Sequence, residues 1–335
     1  MNSELKKIES AYTVESVVQS SKDKNVVEVK TVEELTSTGK PFIKKVEDYP
    51  MVQAANWAIS KTEDEAILRE LKTYLQNTID GVNDSIEQGE YEIVWIIQHQ
   101  LTMDKKTNRI LSDFYTDEAT DNINGTDKVT WVDGHFMRNK PDLTLMPDYV
   151  INHTPIEELG QDLLDEYTKV FSGTDRKSGT NAGYYYNRTN ARWYITEWVE
   201  VTSKICDADP LTYQDVDVYN NLDYRYFWCD DCANYVSQAL RYGNHTTTST
   251  WQPYTIAWKY VPNLTDFLLS NGRGYLSEHY TQLTIGDLGF IPGWHVVMVS
   301  GINPWRYSGH TSDRLNATWH PDLTQYMKIF DYPIY

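Results

Sequence analysis

The chain has 335 residues, and its 30 Lys and Arg against 48 Asp and Glu leave a net charge of −18. An acidic surface repels a phosphate backbone, which excludes generic nucleic-acid binding, and a composition that is 40% hydrophobic and 23% charged excludes a largely disordered chain. No run approaches the roughly 18–20 apolar residues of a membrane helix; the best, Ile93 to Ile97, is strand-sized.

The opening, MNSELKKIES, has no apolar stretch of the kind a signal peptide needs, so no leader is expected within this sequence. Residues 1–50 are polar, with basic pairs at Lys6-Lys7 and Lys44-Lys45, and read as an extended arm or short elements. Thr62-Glu63-Asp64-Glu65 resembles a capping box. Ile67, Leu68, Leu71, Tyr74, Leu75 and Ile79 continue the helix to a stop at Gly81. Tyr91 to Met103 and Arg109 to Tyr115 read as a hairpin around Asp104–Asn108, and Lys128 to Val132 as a further strand. Thr154-Pro155 opens a second helix, with Ile156, Leu159, Leu163, Tyr167 and Val170 on its apolar face.

Residues 172–183 are rich in Gly, Ser and Thr and mark the expected linker. The predicted organisation is therefore α+β throughout: an arm (1–50), a small accessory domain (51–171), the linker, and a C-terminal domain (184–335). In that last part Tyr194 and Trp198 lie on a helical stripe. Ala233, Val236, Ala239 and Leu240 place Cys232 in the first turn of another helix, with Asp230 or Asp231 as N-cap. A helix over Asn263–Ser270 stops at Gly272. Strands follow at Leu283–Phe290, His295–Val299 and Tyr307–Thr311. Helices followed by consecutive strands indicate α+β rather than a wound parallel sheet.

Cys232 carries the strongest chemical signal. A thiol at a helix N-terminus feels the helix dipole and nearby N–H groups, which favour thiolate and can hold an oxyanion. The two aspartates before it act the other way, so an imidazolium is needed, and His295 at the head of an apolar strand is suited to supply it. A cysteine on a helix start facing a histidine on a sheet is the papain-like arrangement. The third member is expected to be His310, with Asp313 and Asn316 as alternatives. Substrate contacts are expected from Asp231, Asn234, Trp251 and Trp294. Asn234 and Gln238, one turn apart, either bind substrate or brace the helix.

Asp231-Cys232-Ala233-Asn234-Tyr235-Val236-Ser237-Gln238 resembles the D-C-x-N-[FY]-V-S-Q motif of the bacterial putative amidase domain family, which is related to NlpC-type cell-wall peptidases and CHAP amidases. Further pieces resemble that family in order: Tyr186-Asn187-Arg188 with Ala191 and Tyr194, Trp251 and Trp258, Leu283 with Gly286-Asp287, His295 through Gly301, and Gly309 through Asp313. Together they span about residues 183 to 320. The resemblance implies a papain-like (NlpC-type) cysteine hydrolase. Cys232 would be nucleophile and His295 general base, passing through an acyl-enzyme, on an amide of the cell wall or of an extracellular peptide. It also implies a bacterial, secreted or cell-surface setting. Asp230 and Gly243-Asn244 depart from the family pattern, which has Gly before Asp-Cys and Gly-Gly after the helix.

The other readings are these. Trp228-Cys229-Asp230-Asp231-Cys232 imitates a redox W-C-x-x-C, and the fold could serve as a wall-binding module without catalysis. Cys229-x-x-Cys232 is half a zinc ligand set, and no second half follows. Asp207, Asp209, Asp215 and Asp217 lack the spacing of a calcium loop. With three cysteines at least one thiol stays unpaired, and a Cys206–Cys229 disulfide would leave Cys232 free. No metal or cofactor is expected.

Overall fold

The structure is a computed structural model that describes residues 8–19, 26–107, 109–116, 130–132, 135–137, 147–172, 185–199, 224, 231–310, 314–318 and 323–332. Most of the expected linker, Cys206, Cys229, Asp313 and the Asp207–Asp217 loop lie outside these residues.

The apolar run at residues 295–302 organises the architecture. A strand that is hydrophobic on every position has to be covered on both faces. β9 (His295–Ile302) is buried along its whole length. It lies in an antiparallel sheet with β8 (Leu288–Ile291), β10 (Trp305–Gly309), β11 (Arg314–Thr318), β12 (Gln325–Ile329) and β7 (Gly274–Ser277). Val297 and Val299 pack into one core with the helices α1 (Pro50–Lys61), α2 (Glu65–Gln88) and α4 (Ile156–Phe171). Val296 and Met298 face a second core. This one is built with α5 (Arg188–Glu197), α6 (Cys232–Tyr242), α7 (Ile256–Lys259) and α8 (Val261–Ser270). The result is a sheet between two helical layers.

The helices from residues 50–171 thus share a core with the C-terminal sheet. The sheet also continues into the N-terminal part. β1 (Ile8–Gln19), β2 (Val26–Gly39) and β3 (Tyr91–Asp104) extend it through a β3–β11 pairing, Leu315 opposite Val94. Within the segment expected as an extended arm or short elements, residues 8–19 and 26–39 form two long strands. The expected hairpin is present as β3 and β4 (Arg109–Thr116), its turn closed by the Asp104 carboxylate accepting the N–H groups of Lys106 and Thr107. Of the strand expected at 128–132, residues 130–132 form β5 (Thr130–Val132).

Two helix boundaries differ from expectation. The N-cap of α2 is Asp64, whose Oδ1 accepts N–H groups of Ala66 and Ile67 at 2.9 and 3.1 Å. Gly81 does not stop the helix, which runs on to Gly89 in a left-handed conformation (φ 67°). At Gly81 the absent side chain instead lets α2 close on Ile302 and Ile285, whose Cδ1 atoms would stand 3.0 and 3.2 Å from a Cβ. Residues 283–287 are also not strand. There Gly286 (φ 84°) makes a turn that Asp287 closes by accepting the Thr284 N–H at 2.8 Å, and β8 begins only at Leu288.

Lys328 on β12 enters the α2–α4 side of the core. Its Nζ donates to Tyr167 Oη and Gln282 O, each at 3.0 Å, and sits 4.0 Å from the centre of the Tyr74 ring. Burial lowers its pKa to about 8, against the opposing pull of Glu166 and Asp287. The folded chain therefore releases this proton earlier than the unfolded chain, so folding gains stability from this residue as pH rises. Relative to a Lys328→Met variant, the wild type should gain up to about 1.4 kcal/mol per pH unit between pH 8 and the ordinary lysine value near ~10.4. Urea unfolding across that range measures it, and parallel curves would refute it.

Candidate active site

α6 is buried from Cys232 to Leu240, held between the sheet and the surrounding helices, so its polar side chains have to find partners inside the protein. Tyr194 Oη donates to Gln238 Oε1 at 2.6 Å. Ser237 Oγ donates to the Trp258 carbonyl at 2.8 Å and accepts from Trp251 Nε1 at 3.2 Å. Asn234 Oδ1 accepts from Trp258 Nε1 at 2.7 Å. Asn234 and Gln238 therefore brace the helix, and both are buried. Trp251 is fully buried too, stacked on Phe267 beneath Arg273.

Asp231 is the N-cap residue of α6, yet its carboxylate makes no capping bond. Oδ1 accepts from Asn234 Nδ2 at 2.7 Å and Oδ2 meets His310 Nδ1 at 2.8 Å, both residues of this pair being fully buried. The His310 ring lies flat on Tyr235, centroids 3.5 Å apart, and its Nε2–H donates to the Trp198 carbonyl at 3.2 Å.

Cys232 is the first residue of α6, where the helix dipole favours a negative charge. Its Sγ lies 3.8 Å from the carbonyl oxygen of Trp294, the residue immediately before His295. The end of α6 thus meets the turn that feeds β9, where His295 pairs with Ile291 of β8. Cys232 and His295 are 5% and 7% exposed, so the pair sits in a nearly dry setting that strengthens charge interactions. The Trp294 side chain is 58% exposed beside it, on a turn that Gly293 makes with φ 78°.

Of the residues expected at the site, the structure brings Cys232, Asp231, Trp294 and His310 around the start of α6, with His295 next to them in chain. Asn316 is elsewhere: it accepts from Ser300 Oγ at 3.0 Å and donates to the Glu92 carbonyl, towards the far end of β9. The ring nitrogens of His310 meet Asp231 and Trp198, so those bonds do not orient His295. Among the described residues no cluster of three or more His, Cys, Asp or Glu side chains is arranged for a metal ion.

The sequence reading missed a clamp at the opposite end of β9 from His295, where the Val299 N–H donates to the Asp287 carbonyl. Arg188 donates to Asp287 at 2.8 Å, to Asp331 at 2.7 Å, and to the carbonyls of Ile285 and Ile329. Tyr186 Oη donates to the Gly286 carbonyl at 2.9 Å, and a Cβ on Gly286 would stand 2.7 Å from that hydroxyl. Tyr186-Asn187-Arg188 and Gly286-Asp287 are thus a single joint, with Asn187 capping α5 through the Asn190 N–H. A lone charge in an apolar stretch, as at Asp287, was the signal available.

Residues 185–335 match the putative amidase domain family, which supports an amidase-like, hydrolytic class for this part of the chain. The chain is also similar to the uncharacterised protein YjcM of Bacillus subtilis (strain 168), with 33% identity over 115 residues that cover 29% of this chain and 28% of that protein. The chain thus spans little more than a quarter of that relative's length. No solved structure shows significant similarity to the chain.

Replacing Arg188 with Met should cost about 3–5 kcal/mol, because it strands the buried carboxylates of Asp287 and Asp331. Urea denaturation of the two proteins measures this, and a loss below about 1 kcal/mol would show that the clamp is dispensable.

Proposed function

We propose that the chain is a cysteine-dependent amide hydrolase with Cys232 as nucleophile and His295 as general base. One observation carries the reading: a thiol at the first position of a buried helix, against the turn that leads directly into a histidine strand. His295 takes the Cys232 proton, and the thiolate attacks the amide carbonyl. Backbone N–H groups at the start of α6 stabilise the oxyanion, and His295 returns the proton to the leaving amine. Water, activated by the same imidazole, then releases the acyl group from sulfur. The Sγ–carbonyl contact with Trp294 favours the thiol in the resting state.

The family match supports an amide substrate, and our reading of the motifs makes it a peptide or cell-wall amide, met outside the cell by an extracellular or surface-attached enzyme. Trp294, whose backbone carbonyl meets the sulfur, carries an exposed indole that would offer a flat apolar surface to such a chain. The domain organisation fits this reading, with the helices of 50–171 serving as the supporting layer beneath the sheet that carries His295.

Alkylation by iodoacetamide, followed by peptide mass spectrometry against pH, tests the dyad. Cys232 should react with a midpoint at least about one unit below the ordinary thiol value near ~8.5, and His295→Ala should slow the reaction about tenfold at pH 6.5. Cys232→Ala should abolish hydrolysis of peptidoglycan-derived amides. An ordinary thiol profile, unchanged in the histidine variant, would remove the mechanism.

A further inference from the structure

We propose that Asp231 and His310 form a buried imidazolium–carboxylate pair whose task is to cancel the negative charge that Asp231 would otherwise press on Cys232. The proposal rests on the reading of Cys232 as nucleophile, and it makes His310 a positioning residue that acts through Asp231.

The hydrogen-bond partners carry the argument. A backbone carbonyl only accepts, so at Trp198 the His310 Nε2 has to hold a proton. One further proton lies between Nδ1 and Asp231 Oδ2, 2.8 Å apart. The other oxygen of that carboxylate accepts from Asn234 at 2.7 Å, and Asn234 is itself fixed by Trp258. The Asn234 donor on Oδ1 stabilises the ionised carboxylate and so favours the shared proton on the ring. Full burial of both partners removes the water that would otherwise screen Asp231, and an unpaired carboxylate there would be costly.

The sequence neighbourhood explains the need. Asp231 directly precedes Cys232, and a bare carboxylate next to the thiol disfavours the thiolate, opposing the helix dipole. By taking both oxygens away from the helix start, Asn234 and His310 leave the dipole to act on the sulfur. Stacking on Tyr235 fixes the plane of the ring, while the Tyr235 hydroxyl is turned to the carbonyls of Tyr194 and Ile195. Among the described residues, the ionisable groups on elements packed around His310 include Arg192 and Glu197 on α5, Cys232 and Arg241 on α6, His295 on β9, Arg306 on β10 and Arg314 on β11, the last donating to Tyr307 Oη at 3.0 Å.

Two measurements on the full chain test it. In 15N-histidine NMR of the wild type, His310 should show both ring nitrogens protonated at pH 7, and a neutral ring would overturn the proposal. In the iodoacetamide assay, His310→Gln should slow Cys232 alkylation about tenfold at pH 6.5, one pKa unit of added repulsion from Asp231. The Asp231→Asn/His310→Gln double variant removes that charge and should return to within about threefold of wild type. A merely structural role predicts no such rescue, so equal slowing in the single and double variants would overturn the charge-cancelling role. If wild-type Cys232 has an ordinary thiol profile, the nucleophile reading fails, and the NMR charge state alone then decides whether the ion pair exists.

Discussion

Burial of β9 on both faces is the constraint from which the rest of the structure follows. Val296 and Met298 require one helical layer, and Val297 and Val299 require another. The first layer includes α6, which packs on β9 in the same core as Val296 and Met298. With α6 seated there, its N-terminus meets the turn before His295, and the sulfur of Cys232 comes to rest against the Trp294 carbonyl. The second layer comes from the N-terminal half. Its helices do not decorate the hydrolase-like part; they complete its core. Gly81 and Gly160 mark the close approaches, the latter bringing α4 against Trp57 and the Ala54 carbonyl of α1.

Several of the charges that this acidic protein buries sit in matched groups. Arg188 neutralises Asp287 and Asp331 together. Asp231 meets His310. Glu166 accepts from Tyr275, Ser277 and the Glu278 N–H, tying α4 to β7, while Lys328 is spread over two tyrosine rings. These groups differ in what they do. The Arg188 clamp joins α5 to the turn before β8 and so sets the frame of the sheet. The Asp231–His310 contact sits at the mouth of α6, where any charge is felt by the thiol. Burial raises the stakes in both, because a partner lost in a low-dielectric interior leaves its mate uncompensated.

Burial also separates the polar residues of the D-C-x-N-Y-V-S-Q segment by role. Asn234, Ser237 and Gln238 are spent on Asp231, the two tryptophans and Tyr194. These bonds fix one end of the helix. Trp294, which lies outside that segment, meets the Cys232 sulfur through its backbone carbonyl and leaves its side chain exposed.

Much of this was legible from the chain itself. Apolar spacing at Ala233, Val236, Ala239 and Leu240 defines α6 and puts Cys232 at its first position; the run at His295 defines a strand covered on both faces; alternating β-branched and aromatic residues define the β3–β4 hairpin. These features depend on contacts within a few residues, which periodicity records directly. The destination of each charged side chain was not legible. Asp231 could cap its helix on sequence grounds, and only the register of β9 with β10 brings His310, 79 residues away, close enough to draw the carboxylate off. Gly81 reads as a stop by composition, and only the approach of Ile302 makes it a packing site within a longer helix. Local pattern determined the elements and the place of the thiol. Tertiary packing decided which buried charges meet, because that depends on strand register and layer order rather than on neighbours in the chain.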